Sequence, residues 1–197
     1  MSDRLTLSCW VRNHHPLTRL AHWEKLLALF PYSRLGDRSS TVRILAVDYQ
    51  EPVQFERSYP SPITAATLLP AFHDFQDSDT AWVVETHWDL MKFEEDTDWQ
   101  LGPVPVTLWS FGREFGDEAG DHLRVEFGLE EWFLPRAEDP ASIRPAQANL
   151  LSLTQLVQEM GRALPLERKH LWSESGANFA EKLERAVRGE RLGLSLQ

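Results

Sequence analysis

Three polar side chains at alternate positions of one short segment are the residues in this sequence best suited to chemistry. They are Glu85, His87 and Asp89, within the segment VVETHWDL at residues 83–90. Successive side chains of a β-strand point to opposite faces, so these three would share one face at a spacing of about 6.5–7 Å. At that spacing one histidine and one carboxylate can converge on a single transition-metal ion.

A metal-dependent enzyme would need a second histidine from a distant strand, as in sites that combine two histidines with one carboxylate. His122 begins a later predicted strand and is the candidate, so the possible ligands are His87, Asp89, His122 and Glu85. A metal-bound water would then be the nucleophile or the site of oxygen chemistry. The same alternation is also typical of the solvent-facing side of a half-buried strand edge that binds nothing. Because no further motif supports a metal, the second interpretation is favoured, and enzymatic activity stays an open question.

The acidic residues are concentrated in the middle of the chain. The formal net charge is −10, and residues 74–139 hold 18 acidic and 4 basic residues, a local charge of −14. A field of this sign repels phosphate backbones, so nucleic acid is not an expected partner. A basic protein or a small cationic ligand is compatible with it.

Tryptophan is concentrated in the same region, where five of the eight lie: Trp82, Trp88, Trp99, Trp109 and Trp132. The first two fall on the apolar side of their strand and are predicted to lie in the core. Trp99 directly follows Asp98. Trp132 directly follows Glu131. These four residues are predicted to be an exposed binding surface, because aromatic rings beside carboxylates attract cations and anchor partner proteins.

Several other classes of function find no support in the sequence. It contains no nucleophile elbow and no glycine pattern for phosphate or dinucleotide binding, so no cofactor is predicted. The single cysteine, Cys9, excludes an intrachain disulfide and lies on the apolar side of its predicted strand. With no signal-like start and no apolar run near the roughly 20 residues of a membrane span, we expect a cytoplasmic location without membrane contact.

The hydrophobic periodicities predict an α+β fold. The predicted strands are Leu5–Arg12, Thr41–Tyr49, Val53–Ser58, Thr80–Phe93, Val106–Phe111 and His122–Leu134, with Gly102–Pro105 as a rigid connection before the fifth. The predicted helices are Pro16–Phe30, one from Ser61 that kinks or ends near Pro70, one from Ser142, and one through Phe179.

The order of these elements leads to an architecture. The first half reads strand, helix, strand, strand, helix, strand, which is ferredoxin-like in element order. We expect one α+β domain over 1–197, with a mainly antiparallel sheet, helices packed on one face and two C-terminal helices. Possible sub-units are 1–95, ferredoxin-like, and 96–197, a strand pair plus two helices.

The functional hypothesis is an intracellular binding or interaction module. Its acidic aromatic face, around Trp99, Trp132, Glu131 and Asp98, would contact a basic protein partner or a small cationic ligand. The alternative is the metal-dependent enzyme with a His/Asp site on the strand around His87. The sequence makes no prediction of the oligomeric state.

Overall fold

The computed structural model describes residues 3–36, 39–93, 98–136, 139–173 and 178–188, and these ranges contain seven strands and four α-helices. The strands are β1 (Arg4–Val11), β2 (Ser39–Ala46), β3 (Phe55–Pro60), β4 (Thr80–Lys92), β5 (Gln100–Phe111), β6 (Leu123–Leu129) and β7 (Leu166–Ser173). The helices are α1 (Pro16–Leu29), α2 (Ala65–Asp74), α3 (Ile143–Ala163) and α4 (Phe179–Arg188), with short 3-10 helices at Glu130–Trp132 and Pro140–Ser142. The predicted α+β class is confirmed. None of the described helices is both long and apolar enough to cross a membrane.

All seven strands join one sheet in the order β3-β2-β4-β5-β6-β1-β7, and every neighbouring pair is antiparallel. The predicted antiparallel sheet is therefore confirmed. Along the chain, the first six elements follow the expected order. In space, however, β1 lies between β6 and β7, away from β2, β3 and β4. The strands of residues 1–95 therefore form no separate ferredoxin-like sheet, because β1 pairs with strands from residues 96–197.

One face of the sheet, here called the helix side, is apolar. Residues paired across neighbouring strands share a face, and one such row consists of Val42, Val84, Leu108, Val125 and Leu7. All five are buried in one cluster that also contains side chains of α1, α2 and α3. Trp82 and Trp88 belong to the same cluster, so their predicted core positions are confirmed. Burial of this kind contributes about 25 cal/mol per Å² of apolar surface, which makes the helix side the main source of stability.

Helix α1 follows directly from its sequence. Pro16 occupies its first turn, where a missing N–H costs no hydrogen bond. Trp23, Leu26 and Leu27 recur on one face of the helix and are buried. The helix ends at Leu29, and the cap residue Phe30 has an extended backbone (φ −67°, ψ 129°) because a residue that precedes a proline is disfavoured in the helical region.

The sequence predicts that this helix kinks or ends near Pro70, and α2 continues through Pro70 to Asp74. A proline inside a helix costs about 3 kcal/mol in lost hydrogen bonding and steric clash. Leu68 and Phe72, on either side of Pro70, are both fully buried against the sheet. Their burial offsets this cost, so tertiary packing decides the length of the helix.

Strand β5 begins earlier than the sequence suggests and runs through two prolines, Pro103 and Pro105. The pairing of β6 with β5 covers Thr107 to Ser110. The first part of β5 therefore has one side without a paired strand, where a proline interrupts no ladder of hydrogen bonds. The predicted rigid connection is in fact part of the strand.

Strand β7 is absent from the sequence-based prediction. It is an outer strand with four consecutive exposed side chains: Glu167, Arg168, Lys169 and His170. A strand exposed on both faces lacks the alternation that identifies a half-buried one, and charged residues are common on edges because they discourage pairing with other chains.

The opposite face of the sheet, here called the open face, has a polar centre. Thr41, Glu85, Thr107 and Glu126 are paired in turn across β2, β4, β5 and β6, and all four are half-buried. At one end of this face a second apolar cluster includes Phe111 and Phe115. The open face is therefore polar at the middle of β2, β4, β5 and β6, and it is apolar at the end that the loop after β5 covers.

Candidate functional site

The segment VVETHWDL lies in β4, an internal strand with β2 and β5 as its neighbours. The apolar side chains of Val84 and Trp88 are buried, whereas Glu85, His87 and Asp89 are half-buried. The predicted alternation is therefore confirmed. The interpretation as a strand edge is wrong, because the segment lies inside the sheet.

Asp89 is held by the turn after α1. The Ser33 hydroxyl donates to one oxygen of its carboxylate, and the backbone N–H of Arg34 donates to the other at 2.8 Å. Ser33 Oγ in turn accepts from the backbone N–H groups of Leu35 (3.2 Å) and Gly36 (2.9 Å). Both carboxylate oxygens thus stabilise the turn, and this is a structural role.

His122 lies far from His87 along the sheet. The backbone N–H of Phe111 donates a hydrogen bond to the carbonyl oxygen of His122, whereas His87 is paired with Pro105. Phe111 and Pro105 are six residues apart along β5, so His122 and His87 are separated by about 20 Å in the strand direction. His122 Nδ1 accepts from the backbone N–H of Val11 at 2.9 Å. Within the described residues no group of three or more His, Cys, Asp or Glu side chains is arranged to hold a metal ion. The alternative ligand set therefore does not converge.

A pocket of about 460 Å³, here called the open-face pocket, lies over the polar centre of the open face. Its chemically important lining residues are Arg4, Glu85, His87, Thr107, Glu126 and Trp132. Three of these, Glu85, His87 and Trp132, are residues that the sequence analysis selected for different reasons. The fold brings them together, because β4, β5 and β6 are adjacent and the 3-10 helix directly follows β6.

Two glutamates bracket a threonine at the floor of this pocket. Glu85 is paired with Thr107, and Thr107 is paired with Glu126, so the three lie in one row across β4, β5 and β6. Since neighbouring strands are 4.7–4.9 Å apart, the backbones of the two glutamates are about 10 Å apart. A small polar group fits between two carboxylates at this separation.

Glu85 is also part of an ion-pair network. Arg43 Nη1 lies 2.5 Å from a carboxylate oxygen of Glu85, and Arg43 Nε lies 2.6 Å from one of Glu56. These hydrogen bonds and charges raise the pKa of Arg43, chiefly through its bond to Glu56. One guanidinium is thus shared between two carboxylates.

Two buried nitrogen atoms of the lining residues have no hydrogen-bond partner, His87 Nδ1 and Trp132 Nε1. Such atoms are rare in folded proteins. The Trp132 ring lies against the backbone of Gly128, where an added Cβ would be 2.9 Å from Trp132 Cζ3. Glycine at 128, which has φ +86°, therefore allows the ring to form one wall of the pocket.

The other three predicted binding residues, Trp99, Asp98 and Glu131, lie outside the lining of this pocket. Trp99 is half-buried beside Phe93, with ring centroids 5.9 Å apart. The Arg136 guanidinium lies 4.2 Å from the Phe93 centroid and 5.8 Å from that of Trp99, and it pairs with Glu131 at 3.6 Å. The cation next to this aromatic and acidic group is thus supplied by the chain itself. Asp98 is exposed.

A cluster of three histidines on the helix side was not predicted from the sequence. His14, which follows the turn residue Asn13, is only 7% exposed, and its Nε2–H donates to the carbonyl oxygen of Phe111 at 2.9 Å. Its ring stacks on those of His22 and His122. Burial lowers the pKa of His14 to about 3 and lowers the pKa values of the other two. No local pattern signals this cluster, because its members come from distant parts of the chain.

Arg19 lies buried close to this cluster. Its guanidinium donates to Ser110 Oγ (3.2 Å), to the carbonyl oxygen of Ser110 (2.6 Å) and to Thr80 Oγ1 (2.9 Å). The same group stacks on Trp82 at 3.8 Å from the ring centroid. Burial lowers its pKa to about 9. Because its hydrogen bonds all go to neutral groups, Arg19 is a structural cation of the core.

No protein-family model, curated protein or solved structure matches this chain.

Proposed function

We propose that the protein is a binding module whose open-face pocket receives a protonated amine or guanidinium group. The observation that carries this proposal is the row Glu85, Thr107 and Glu126 at the pocket floor. Two carboxylates that flank a hydroxyl provide several acceptors for a group rich in N–H donors. A cation between them gains charge-assisted hydrogen bonds on both sides.

The local charge supports a cationic ligand. Among the described lining residues, Arg4 is the one Lys or Arg side chain, against two glutamates. Arg43 lies beside the pocket, but it is shared between Glu85 and Glu56. Counted together with Arg43 and Glu56, three carboxylates face two guanidinium groups, so a net charge of −1 remains, in agreement with the acidic middle of the chain.

Trp132 supports the proposal with an aromatic wall. A cation near a tryptophan ring is attracted by the π-electrons, by about 0.5–1 kcal/mol at exposed sites and more when water is excluded. Of the four aromatic and acidic residues selected from the sequence, Trp132 is the one in this pocket. The proposed binding surface is thus centred on β4, β5 and β6 and not on Trp99.

The remaining expectations extend this proposal. We propose that residues 1–197 act as one unit, because the sheet unites strands from both halves. The acidic middle favours a partner that is not nucleic acid, and the single cysteine fits a reducing cytoplasm. No observation favours the metal-dependent enzyme, so we propose no second function.

Titration with matched probes tests the proposal. The small-molecule arm uses n-butylamine and methylguanidine, with n-butanol as the uncharged control, and the partner arm uses a ten-residue Lys/Arg-rich peptide. Backbone amide shifts of Thr107 and Glu126 in ¹H–¹⁵N spectra report occupancy. We expect saturable shifts with the cationic probes, weakened by added salt because part of the affinity is electrostatic.

Substitutions in the pocket make the test specific. Glu126→Gln removes a charge at nearly constant volume and should weaken binding roughly tenfold, since hydrogen bonds to charged groups contribute about 1.5–3 kcal/mol. Glu167→Gln on the outer strand β7 is the matched control and should leave binding unchanged. A peptide bound far more tightly than the free amines indicates a protein partner, and similar affinities indicate a small ligand. Equal binding of n-butanol and n-butylamine would refute the proposal.

A further inference from the structure

The open-face pocket is lined by positive as well as negative charge. Arg4, the first residue of β1, lines it together with Glu85 and Glu126. The Arg4 side chain is exposed, and its guanidinium forms no hydrogen bond or ion pair with any residue that the structure describes. Arg43, in contrast, is shared between Glu85 and Glu56. Arg4 is therefore the guanidinium at this pocket that a ligand can still engage.

The strand register places Arg4 to one side of Glu126. Thr6 of β1 is paired with Glu126, and Arg4 is paired with Leu129. Arg4 and Thr6 are two residues apart on one strand, so they share the open face. Three residue steps of β6 stand opposite two of β1, which is a β-bulge, an irregularity that commonly redirects a side chain. The bulge thus sets the position of Arg4 at the pocket.

The separation between the opposite charges sets the length of a ligand that contacts both. Glu126 and Leu129, the partner of Arg4, are three residues apart on β6, or at most about 10 Å along the strand. Arginine and glutamate side chains are long, so the ligand groups that meet them are closer together than the two backbones. A chain of four carbon atoms spans about 6 Å between an ammonium and a carboxylate. A chain of this length is suitable, whereas a single carbon atom is too short.

The Trp132 ring lies at the level of β6 between the two charged ends. It contacts Gly128, which follows Glu126 by two residues and directly precedes Leu129. An apolar chain can lie along such a ring while its charged ends stay hydrogen-bonded, as the stems of lysine and arginine side chains do on apolar surfaces. The pocket therefore combines a cation site, an apolar wall and an anion site in this order.

Ligands with one charge use this lining incompletely. A simple anion bound by Arg4 would lie near two carboxylates that repel it. A simple amine would be held by the glutamates but would leave Arg4 without an acceptor. A ligand that carries both charges pairs with each end, and two parallel hydrogen bonds between a guanidinium and a carboxylate also fix its orientation.

We propose that the ligand of the open-face pocket carries a carboxylate as well as a cationic group, at the two ends of a chain of four or five carbon atoms. Arg4 binds the carboxylate, and the cation lies between Glu85 and Glu126. This inference rests on the proposed function, because it assigns the second end of the same ligand. The 5-aminopentanoate ion has this chemistry, and so does a carboxy-terminal lysine with its side-chain ammonium and its main-chain carboxylate.

Matched probes test the role of the carboxylate. n-Butylamine and 5-aminopentanoate share a four-carbon chain and an ammonium group, and they differ in the carboxylate at the far end. 5-Aminopentanamide has the same length without the negative charge, and glycine has its carboxylate one carbon from the ammonium. The amide shifts of Glu126 and Leu129 report binding in ¹H–¹⁵N spectra. We expect 5-aminopentanoate to bind about three- to tenfold more tightly than n-butylamine or 5-aminopentanamide, and glycine to bind no more tightly than methylamine.

Substitutions assign this gain to one end of the pocket. Arg4→Gln should lower the affinity for 5-aminopentanoate to that for n-butylamine, without weakening n-butylamine itself. Arg12→Gln is the matched control and should keep the full gain, because Arg12 is also exposed, directly follows β1 and does not line the pocket. Glu126→Gln should weaken both probes by a similar factor, because it acts on the ammonium that they share.

Two peptides identify the source of the ligand. A hexapeptide that ends in lysine with a free carboxylate is compared with the same peptide amidated at its carboxy terminus. Tighter binding of the free acid supports the proposal, and equal binding of the two peptides would overturn it. A free acid that binds at least tenfold more tightly than Nα-acetyl-lysine supports a protein terminus as the ligand, and similar affinities of these two acids support a small molecule.

The outcomes separate this inference from the proposed function. Equal affinities for n-butylamine and 5-aminopentanoate, or a gain that survives Arg4→Gln, would overturn the role of Arg4 and leave the cation pocket intact. Binding of neither n-butylamine nor 5-aminopentanoate would refute both proposals.

Discussion

The imidazole rings of His14 and His122 stack with their centroids 4.5 Å apart and their planes inclined by 7°. His14 Nδ1 lies 3.4 Å from His22 Nδ1, and a neutral His14 ring that donates to Phe111 through Nε2–H accepts at Nδ1. Burial lowers the pKa values of all three histidines, which favours their neutral forms. Protonation of these histidines would place positive charges on stacked rings at the helix side of the sheet.

The free energy of unfolding should fall in mild acid because of His14. Its pKa is about 3 in the folded protein, chiefly through burial, against 6.5 in the unfolded chain. Above pH 6.5 neither state is protonated, so His14 has no effect there. Between pH 6.5 and 3 the unfolded chain binds a proton that the folded protein does not, so stability declines as the pH falls. At pH 5 the loss from this residue should be about 2 kcal/mol.

Urea unfolding of His14→Gln at pH 7.5 and 5.0 checks this prediction. Glutamine can donate and accept as His14 does but does not titrate, so the variant should lose about 2 kcal/mol less than the wild type between the two pH values. His73→Gln, at an exposed position, is the control and should behave like the wild type. An unchanged pH dependence in His14→Gln would contradict the assignment.

Arg19→Lys should destabilise the fold by about 2–4 kcal/mol, although it keeps the charge. The ammonium of lysine cannot reproduce the planar fork that contacts Ser110 and Thr80, nor the stacking on Trp82. Chemical unfolding at pH 7.5 measures the change. Lys25→Arg, an equally conservative exchange at an exposed position of α1, should stay within about 0.5 kcal/mol of the wild type.

The extent to which sequence predicts this structure depends on how local the determinants are. The alternation in β4 could be predicted because a period of two is a property of neighbouring residues, and the same holds for the start and end of α1. The burial of His14 could not, because it depends on contacts with residues 111 and 122. Strand β7 could not either, since its place at the edge removes the apolar alternation.

The same distinction applies to the candidate site. Glu85, His87 and Trp132 each carry a chemical signal in the sequence, but only strand pairing places them around one pocket. Gly128 has a signal that could have been used, because glycine inside a strand often marks a close approach of two groups. No sequence signal predicts that Arg136 contacts both Trp99 and Glu131, because these contacts depend on how the chain folds after β6.

Asp121→Asn should destabilise the protein by about 3 kcal/mol, because it removes one partner of a buried ion pair. The Asp121 carboxylate is fully buried and accepts two hydrogen bonds from Arg124, at 2.7 and 3.0 Å. Arg124 would keep its contact with Asp117 at 2.7 Å, which limits the loss. Thermal unfolding measures the effect, and Glu118→Gln, at an exposed position of the same loop, is the control. Equal melting temperatures for the two variants would disprove a special role of the buried pair.

Gly128→Ala should both destabilise the fold and weaken ligand binding in the open-face pocket. The new Cβ would lie 2.9 Å from Trp132 Cζ3 and 3.2 Å from Val104 Cγ1, so the tryptophan ring must move. Gly120→Ala is the control for backbone strain without a steric clash. Gly120 also has a positive φ (+61°), but no atom lies within 4 Å of a Cβ added there. We expect about 1–2 kcal/mol of destabilisation at position 120 and clearly more at position 128. Butylamine affinity should fall in Gly128→Ala alone, and equal losses in both variants would show that the Trp132 wall does not contribute to binding.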